Sequence, residues 1–194
     1  MISIDKPFVE FTMKGYDPKK EEECSITLSD FKGKWLVLFF YPKDFTFVCP
    51  TEIADLNHRY DDFHKLGAEV VIVSTDTAHS HKAWVEMEEM LHDTKWLMGA
   101  DHNGRVSHTL GIYDPEEGIA QRGTFIVDPD GVLRSSEIVS DSIGRNTSEI
   151  IRQIKALKFV KENPGRVCPA SWDEGALTLQ PNIKNAGKVS KEMK

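Results

Sequence analysis

Apolar residues in this chain gather into runs of two kinds, and the kinds alternate. Trp35-Leu36-Val37-Leu38-Phe39-Phe40-Tyr41 and Val70-Val71-Ile72-Val73 are unbroken and of strand length, which predicts buried strands. Between them Ile53, Leu56, Tyr60 and Phe63 recur at steps of three and four, the spacing of one helical face. That periodicity predicts a single helix from about Pro50 to Leu66, stopped by Gly67. A second helix is expected from about Ser80 to Leu91, with Ala83, Trp84, Met87, Met90 and Leu91 turned inward.

Further along, Trp96-Leu97-Met98 reads as a short strand, and Gly104 to Leu110 as a short helix ended by Gly111. Gly123 to Val127 and Val132 to Val139 read as strands joined by Asp128-Pro129-Asp130-Gly131. Its Asp, Pro and Gly stand at the first, second and fourth positions of a type I turn. A helix over about Thr147 to Val160 would bury Ile150, Ile151, Ile154, Leu157 and Phe159. Near the start, the charged turn Asp17 to Glu23 separates two short extended segments. From Asn163 the chain is punctuated by Pro and Gly and ends in a Lys-rich tail over 184–194, which reads as an arm. The expected division is therefore a domain over 1–162 and a C-terminal arm over 163–194. Alternating strands and helices, then a hairpin and a helix, predict an α/β fold. Its central mixed sheet flanked by helices resembles the thioredoxin-like arrangement.

The 194 residues are 40% hydrophobic, enough for one domain with a real core. A net charge of -7 and a pI of about 5.5 argue against a nucleic-acid partner. No apolar run nears the roughly 18 residues of a membrane span. The stretch Met1 to Lys6 lacks the basic start of a signal peptide, so a soluble, cytoplasmic chain is expected. The cysteines, Cys24, Cys49 and Cys168, are few and odd in number, which suits a reducing compartment better than a disulfide framework.

Cys49 stands where the first long strand gives way to a helix. Pro50 suits the first helical position, where its missing N–H is not needed, so Cys49 is expected as the N-cap residue. A helix N-terminus carries unpaired amides and about half a positive charge, which favours a thiolate, the nucleophilic form of cysteine. The plain alternative is a buried cysteine acting as a small hydrophobe. Pro42 and Thr46 shift the balance. A proline there shields the sulfur and fixes the loop, and a threonine hydroxyl can donate to the thiolate or to a bound oxygen atom.

Pro42, Thr46 and Cys49 match the peroxiredoxin pattern of Pro, three residues, Thr, two residues, Cys. The longer run Phe39 to Glu52 resembles the two-cysteine group that includes the peroxidase subunit of alkyl hydroperoxide reductase. The resemblance extends from about Phe31 to Trp172 and beyond. It implies a thiol peroxidase of antioxidant defence that reduces hydrogen peroxide and small organic hydroperoxides, with Cys49 as nucleophile. Arg122, in Gln121-Arg122-Gly123, would alone read as a solvated strand end. The resemblance makes it the guanidinium that accompanies the sulfur and polarises the peroxide O–O bond, and a cation beside a thiol does favour the thiolate. Glu52 and Arg145 match an acid and a base that hold this arginine in related enzymes, although a surface salt bridge would account for them equally well.

Cys168, in Val167-Cys168-Pro169-Ala170-Ser171-Trp172, is similar to the resolving-cysteine segment of that group. The implied cycle converts Cys49 to a sulfenic acid, which condenses with Cys168 of the partner chain to a disulfide. A homodimer follows, and the family suggests a ring of five dimers with Phe45 and Phe47 near the contact between dimers. A thioredoxin-like or flavoprotein disulfide reductase would restore both thiols. Family behaviour also implies that the first turn at Cys49 unwinds to form the disulfide. The chain has no Gly-Gly pair and no Tyr or Phe after Phe159, which implies slow overoxidation to the sulfinic acid.

No cofactor and no metal are expected. His79-Ser80-His81 reads as a surface stretch at a helix start, without the spacing of a zinc site. Asn146-Thr147-Ser148 is a glycosylation sequon without a secretory route, and the Asp128 turn lacks further calcium ligands. Neither a Walker loop nor a dinucleotide fingerprint occurs. A cysteine phosphatase would need Arg where Asp55 stands, and Cys24 reads as a spectator. Two rivals remain: a general disulfide oxidoreductase, weakened because Glu52 fills the second position of a Cys-x-x-Cys, and a holdase-like binding protein.

Overall fold

A computed structural model describes residues 2–193. The chain divides into two compact units, with the division between Thr147 and Ser148. In the first unit, β1 (Thr12–Asp17) and β2 (Glu22–Thr27) pair antiparallel around the charged turn. Next, β3 (Trp35–Phe40) leads through a loop into α1 (Cys49–His58) and α2 (Tyr60–Lys65). After these come β4 (Ala68–Ser74), α3 (Ala78–Met87), β5 (Leu97–Ala100) and α4 (Arg105–Leu110). A small ribbon of β6 (Tyr113–Asp114) and β7 (Ile119–Ala120) precedes the hairpin of β8 (Arg122–Val127) and β9 (Leu133–Val139). The main sheet has seven strands in the order β2-β1-β5-β4-β3-β8-β9. Strands β3, β4 and β5 are parallel and their outer neighbours antiparallel, the mixed sheet that the sequence pattern predicts.

Every residue of β3 is buried, because both faces of this strand are covered. Leu36, Leu38 and Phe40 join Val71, Val73, Phe125 and Val127 in one hydrophobic cluster. Val37, Phe39, Val70 and Ile72 alternate onto the opposite face and are buried as well. Burying each such side chain contributes roughly 1.5–3 kcal/mol. The carboxyl end of β3 is therefore a rigid platform, and the 41–48 loop and Cys49 are carried on it. At the far end of the sheet Gly131 takes φ +78 and its amide bonds to Asp128 O at 2.9 Å, closing the predicted turn between β8 and β9.

Three features depart from the pattern. The helix expected over 50–66 is interrupted at Arg59 (φ -101, ψ 14), yet Ile53, Leu56 and Phe63 stay buried, with Tyr60 half-buried. Cys49 is the first helical residue and not the cap. Val48 caps the helix with backbone already helical (φ -84, ψ -39), and its carbonyl accepts from the amides of Thr51 at 3.1 Å and Glu52 at 3.2 Å. The third departure is the phase of α3. It starts at Ala78, with the Thr77 hydroxyl accepting from the Ser80 amide at 3.2 Å, and it buries Ala78, His81, Trp84 and Val85. That face leaves Met87 at 74% exposure, and Met90, past the helix end, at 46%. Trp84 and Leu91 are buried as expected, but the apolar pattern passed over His81 and drew in Met87 and Met90.

The second unit comprises α5 (Thr147–Glu162) from Ser148 onward and the segment 163–193, which ends in the short α6 (Val189–Glu192). Ile150, Ile151 and Ile154 are buried, and Leu157 and Phe159 half-buried. The segment folds back on α5 around Trp172, whose ring lies 5.1 Å from that of Phe159. Arg152 Nη1 donates to Trp172 O at 2.9 Å, and Val167 and Leu179 form an antiparallel bridge. Among the described residues no helix is long and apolar enough to cross a membrane.

Candidate active site

Cys49 has no exposed surface, and a guanidinium stands against its sulfur. Arg122, the first residue of β8, places Nη1 3.3 Å from Cys49 Sγ. The same nitrogen donates to Glu52 Oε2 at 2.7 Å, one helical turn along α1 from the cysteine. Its Nε donates to the carbonyl of Asp141 at 2.9 Å, and Nη2 pairs with the Asp141 carboxylate at 3.3 Å. Arg145 completes the set. Its amide and its Nε each donate to Glu52 Oε1 at 2.9 Å, and Nη2 reaches Oε2 at 3.2 Å. Nη1 donates to Gly123 O and Thr124 Oγ1, both at 3.0 Å, while the guanidinium carbon lies 3.3 Å from the centre of the Phe39 ring.

Such a cluster costs desolvation energy unless every charge is matched. Glu52 serves two cations, so the buried set, apart from the exposed Asp141, carries one positive charge beside the Cys49 sulfur. Burial alone would pull the Arg122 guanidinium down, but its bond to Cys49 and the charges of Cys49, Glu52 and Asp141 hold it above the ordinary arginine value. Burial keeps Arg145 below that value against the opposing pull of Glu52. Both remain protonated. The arrangement presents a sulfur and a fixed donor beside it.

The 41–48 loop carries the other two residues of the pattern. The Thr46 hydroxyl donates to Lys43 O at 3.0 Å, so its hydrogen goes to the loop and its oxygen is left to accept. Pro42 is buried and lines an open groove of about 420 Å³ with Asp114, Glu117, Ile119, Ile138 and Asp141. In the second unit Cys168 is half-buried, its Sγ 3.9 Å from Ala156 O. Burial pushes its thiol above the ordinary value, and Arg152 pulls it back. Cys24 is half-buried too, its thiol raised by burial and by Asp17. All three cysteines are unbonded.

A second buried polar cluster sits beside the loop, and sequence patterns gave no notice of it. His81, expected at the surface, is fully buried, with Nδ1 2.9 Å from Asp44 Oδ2 and Nε2 3.1 Å from Gly99 O. The Gly99 carbonyl only accepts, so Nε2 carries a hydrogen. Asp44 also accepts from Tyr41 Oη at 2.7 Å and Ser80 Oγ at 2.8 Å. Burial, reinforced by Asp44, raises the Tyr41 phenol well above its ordinary value, which keeps it a donor. The available signal was Asp44 itself, a charge inside an aromatic run.

Residues 4–136 match the AhpC/TSA family. Over 189 residues the chain is 46% identical to alkyl hydroperoxide reductase C of Staphylococcus aureus, covering 97% of this chain and 100% of that one. Enterococcus faecalis AhpC superposes with a TM-score of 0.82 at 39% identity, over 87% of this chain and 100% of its own. The reduced 2-Cys peroxiredoxin of Plasmodium vivax superposes with a TM-score of 0.92 at 27% identity, over 98% of this chain and 100% of its own.

Proposed function

The chain belongs to the AhpC/TSA family, and from that membership we infer that it is a thiol peroxidase of antioxidant defence. Its substrates are hydrogen peroxide and small organic hydroperoxides, and Cys49 is the nucleophile. One observation carries the assignment of the site: Arg122 Nη1 lies 3.3 Å from Cys49 Sγ, with the rest of that guanidinium tied to Glu52 and Asp141. The Cys49 thiolate attacks the terminal peroxide oxygen, an S–O bond forms and the O–O bond breaks. The leaving oxygen takes up a proton and departs as water or alcohol, with the sulfur left as sulfenic acid. Arg122 stabilises charge developing on the two oxygens, Glu52 and Arg145 hold it in place, and Thr46 accepts from the hydroperoxide O–H. Pro42 shapes the approach, and the groove it lines offers room for a small organic group.

Cys168 of a partner chain then condenses with the sulfenic acid, releasing water and forming the disulfide. Cys49 has no exposed surface, so the first turn of α1 must open for a second thiol to reach it. A dithiol reductase, thioredoxin-like or a flavoprotein, returns the two electrons by exchange. Dimers follow from that bond, and five of them form the ring, with the exposed Phe45 and Phe47 at the contact between dimers. The working compartment is the cytoplasm. The test is non-reducing electrophoresis of wild type, Cys49→Ser and Cys168→Ser after one equivalent of hydrogen peroxide. A dimer-sized band in wild type alone is expected. A wild type that consumes peroxide yet runs as a monomer would remove Cys168 from the cycle.

A further inference from the structure

Outside the Cys49 cluster, the Asp76 carboxylate and the Thr46 hydroxyl hold the two ends of a single peptide plane in the loop, the one joining Lys43 to Asp44. On the amide side, Asp44 N–H donates to Asp76 Oδ2 at 2.9 Å. On the carbonyl side, Lys43 O accepts the Thr46 hydroxyl at 3.0 Å. Asp76 is itself fixed, since Ser74 Oγ donates to the same Oδ2 at 2.6 Å and accepts from the Asp76 amide at 3.1 Å. The Asp44 side chain is pinned by Tyr41, Ser80 and His81, which belong to the end of β3 and to α3. Because a peptide is planar, an N–H held at one end fixes the direction of the C=O at the other. That direction decides where the Thr46 hydrogen points, and hence which way its lone pairs face. The next residue, Phe45, has φ +56, a conformation an aromatic side chain keeps only where its surroundings over-determine it.

We infer that Asp76 and the buried Asp44–His81 pair are positioning residues for the peroxide step, aiming the Thr46 oxygen at the hydroperoxide O–H. The inference rests on the roles of Cys49 and Thr46 proposed above. With the Thr46 hydrogen committed to Lys43, the hydroxyl meets the peroxide only as an acceptor. An accepting oxygen on one side and Arg122 on the other leave the terminal peroxide oxygen one orientation toward Cys49.

The test is a double-mutant cycle in the full chain carrying Cys24→Ser and Cys168→Ser, so that only Cys49 reacts. Second-order rates with hydrogen peroxide and with iodoacetamide are measured for the parent, Asp76→Ala, Thr46→Val and the double variant. Iodoacetamide needs the thiolate but has no O–H for Thr46 to receive. Each single change is expected to slow the peroxide reaction roughly 10- to 100-fold. Alkylation should stay within about two-fold, and the double variant should be no slower with peroxide than Thr46→Val alone. Asp76→Asn, which keeps an acceptor oxygen in place, should restore most of the rate. Ser74→Ala loosens Asp76 with little change in volume, so it carries the same test should Asp76→Ala fail to fold. Equal losses with both reagents, or additive losses in the double variant, would overturn the inference and leave a structural role. A slow Thr46→Val beside an unaffected Asp76→Ala would overturn it alone, and an unaffected Thr46→Val would overturn it with the reading of Thr46.

Discussion

Cys49 and Cys168 carry the same thiol into opposite surroundings. Cys49 lies at the start of a helix, without exposed surface, beside an arginine that is also tied to Glu52 and Asp141. Cys168 lies in an irregular segment, half-buried, near a carbonyl and an arginine that forms a two-bond pair with Glu149. The first site holds fixed charge aimed at the sulfur, and the second pushes its thiol above the ordinary value through burial. A nucleophile gains from charge organised before the substrate arrives. A resolving thiol has only to be present when a sulfenic acid forms.

The sharpest way to break this contrast is to remove each sulfur in turn. Cys49→Ser is expected to abolish peroxide consumption. Cys168→Ser should leave the first oxidation step within about two-fold in stopped-flow fluorescence, while turnover with a reductase is lost. A comparable loss of the first step in both variants would erase the distinction. Next in size is Arg122→Met, which keeps the volume and removes the donors beside the sulfur. The expected fall in the peroxide rate is roughly 10²–10³-fold, with Cys168 alkylation unchanged.

Glu52→Ala tests the support beneath Arg122. It leaves two buried guanidinium groups without their shared carboxylate, and a loss of about 3–5 kcal/mol in urea unfolding is expected. A loss below 1 kcal/mol would mean that water or Asp141 replaces the carboxylate. The smallest effect belongs to Cys168. Its thiol is raised, so in a Cys24→Ser, Cys49→Ser background its alkylation should be slower at neutral pH than that of an unhindered cysteine. The rate should keep climbing beyond the ordinary thiol range. Arg152 is the group that pulls this thiol down, so Arg152→Gln should move the midpoint further up. A midpoint below the ordinary thiol value would reverse the sign of the contrast.

Much of the fold could be read directly from spacing. The unbroken run of β3, the turn at Asp128 to Gly131 and the face of Ile53, Leu56 and Phe63 each have a local cause, so neighbouring residues suffice to reveal them. The apolar face of α3 could not be read this way. Its centre is His81, which the scoring of apolar positions pushes to the surface, and Met87 was drawn inward in its place. The junction before α1 was legible to within one residue. The proline at the second helical position was visible, but Val48 becomes the cap only because its carbonyl already accepts the amides of Thr51 and Glu52.

By itself, the sequence determined a mixed α/β sheet, a cysteine at a helix start, and the family pattern that singled out Pro42, Thr46, Arg122, Glu52, Arg145 and Cys168. Tertiary structure alone decided how charges distant in the chain are matched. Arg145 reaches Glu52 from the far side of the β8–β9 hairpin, and His81 enters the interior because Asp44 and the Gly99 carbonyl are there to pair with its two ring nitrogens. The physical reason is the same in both places. An apolar residue is buried by its own nature, but a polar one is buried only when its partner arrives, and partners across the sheet leave no periodic mark in the chain.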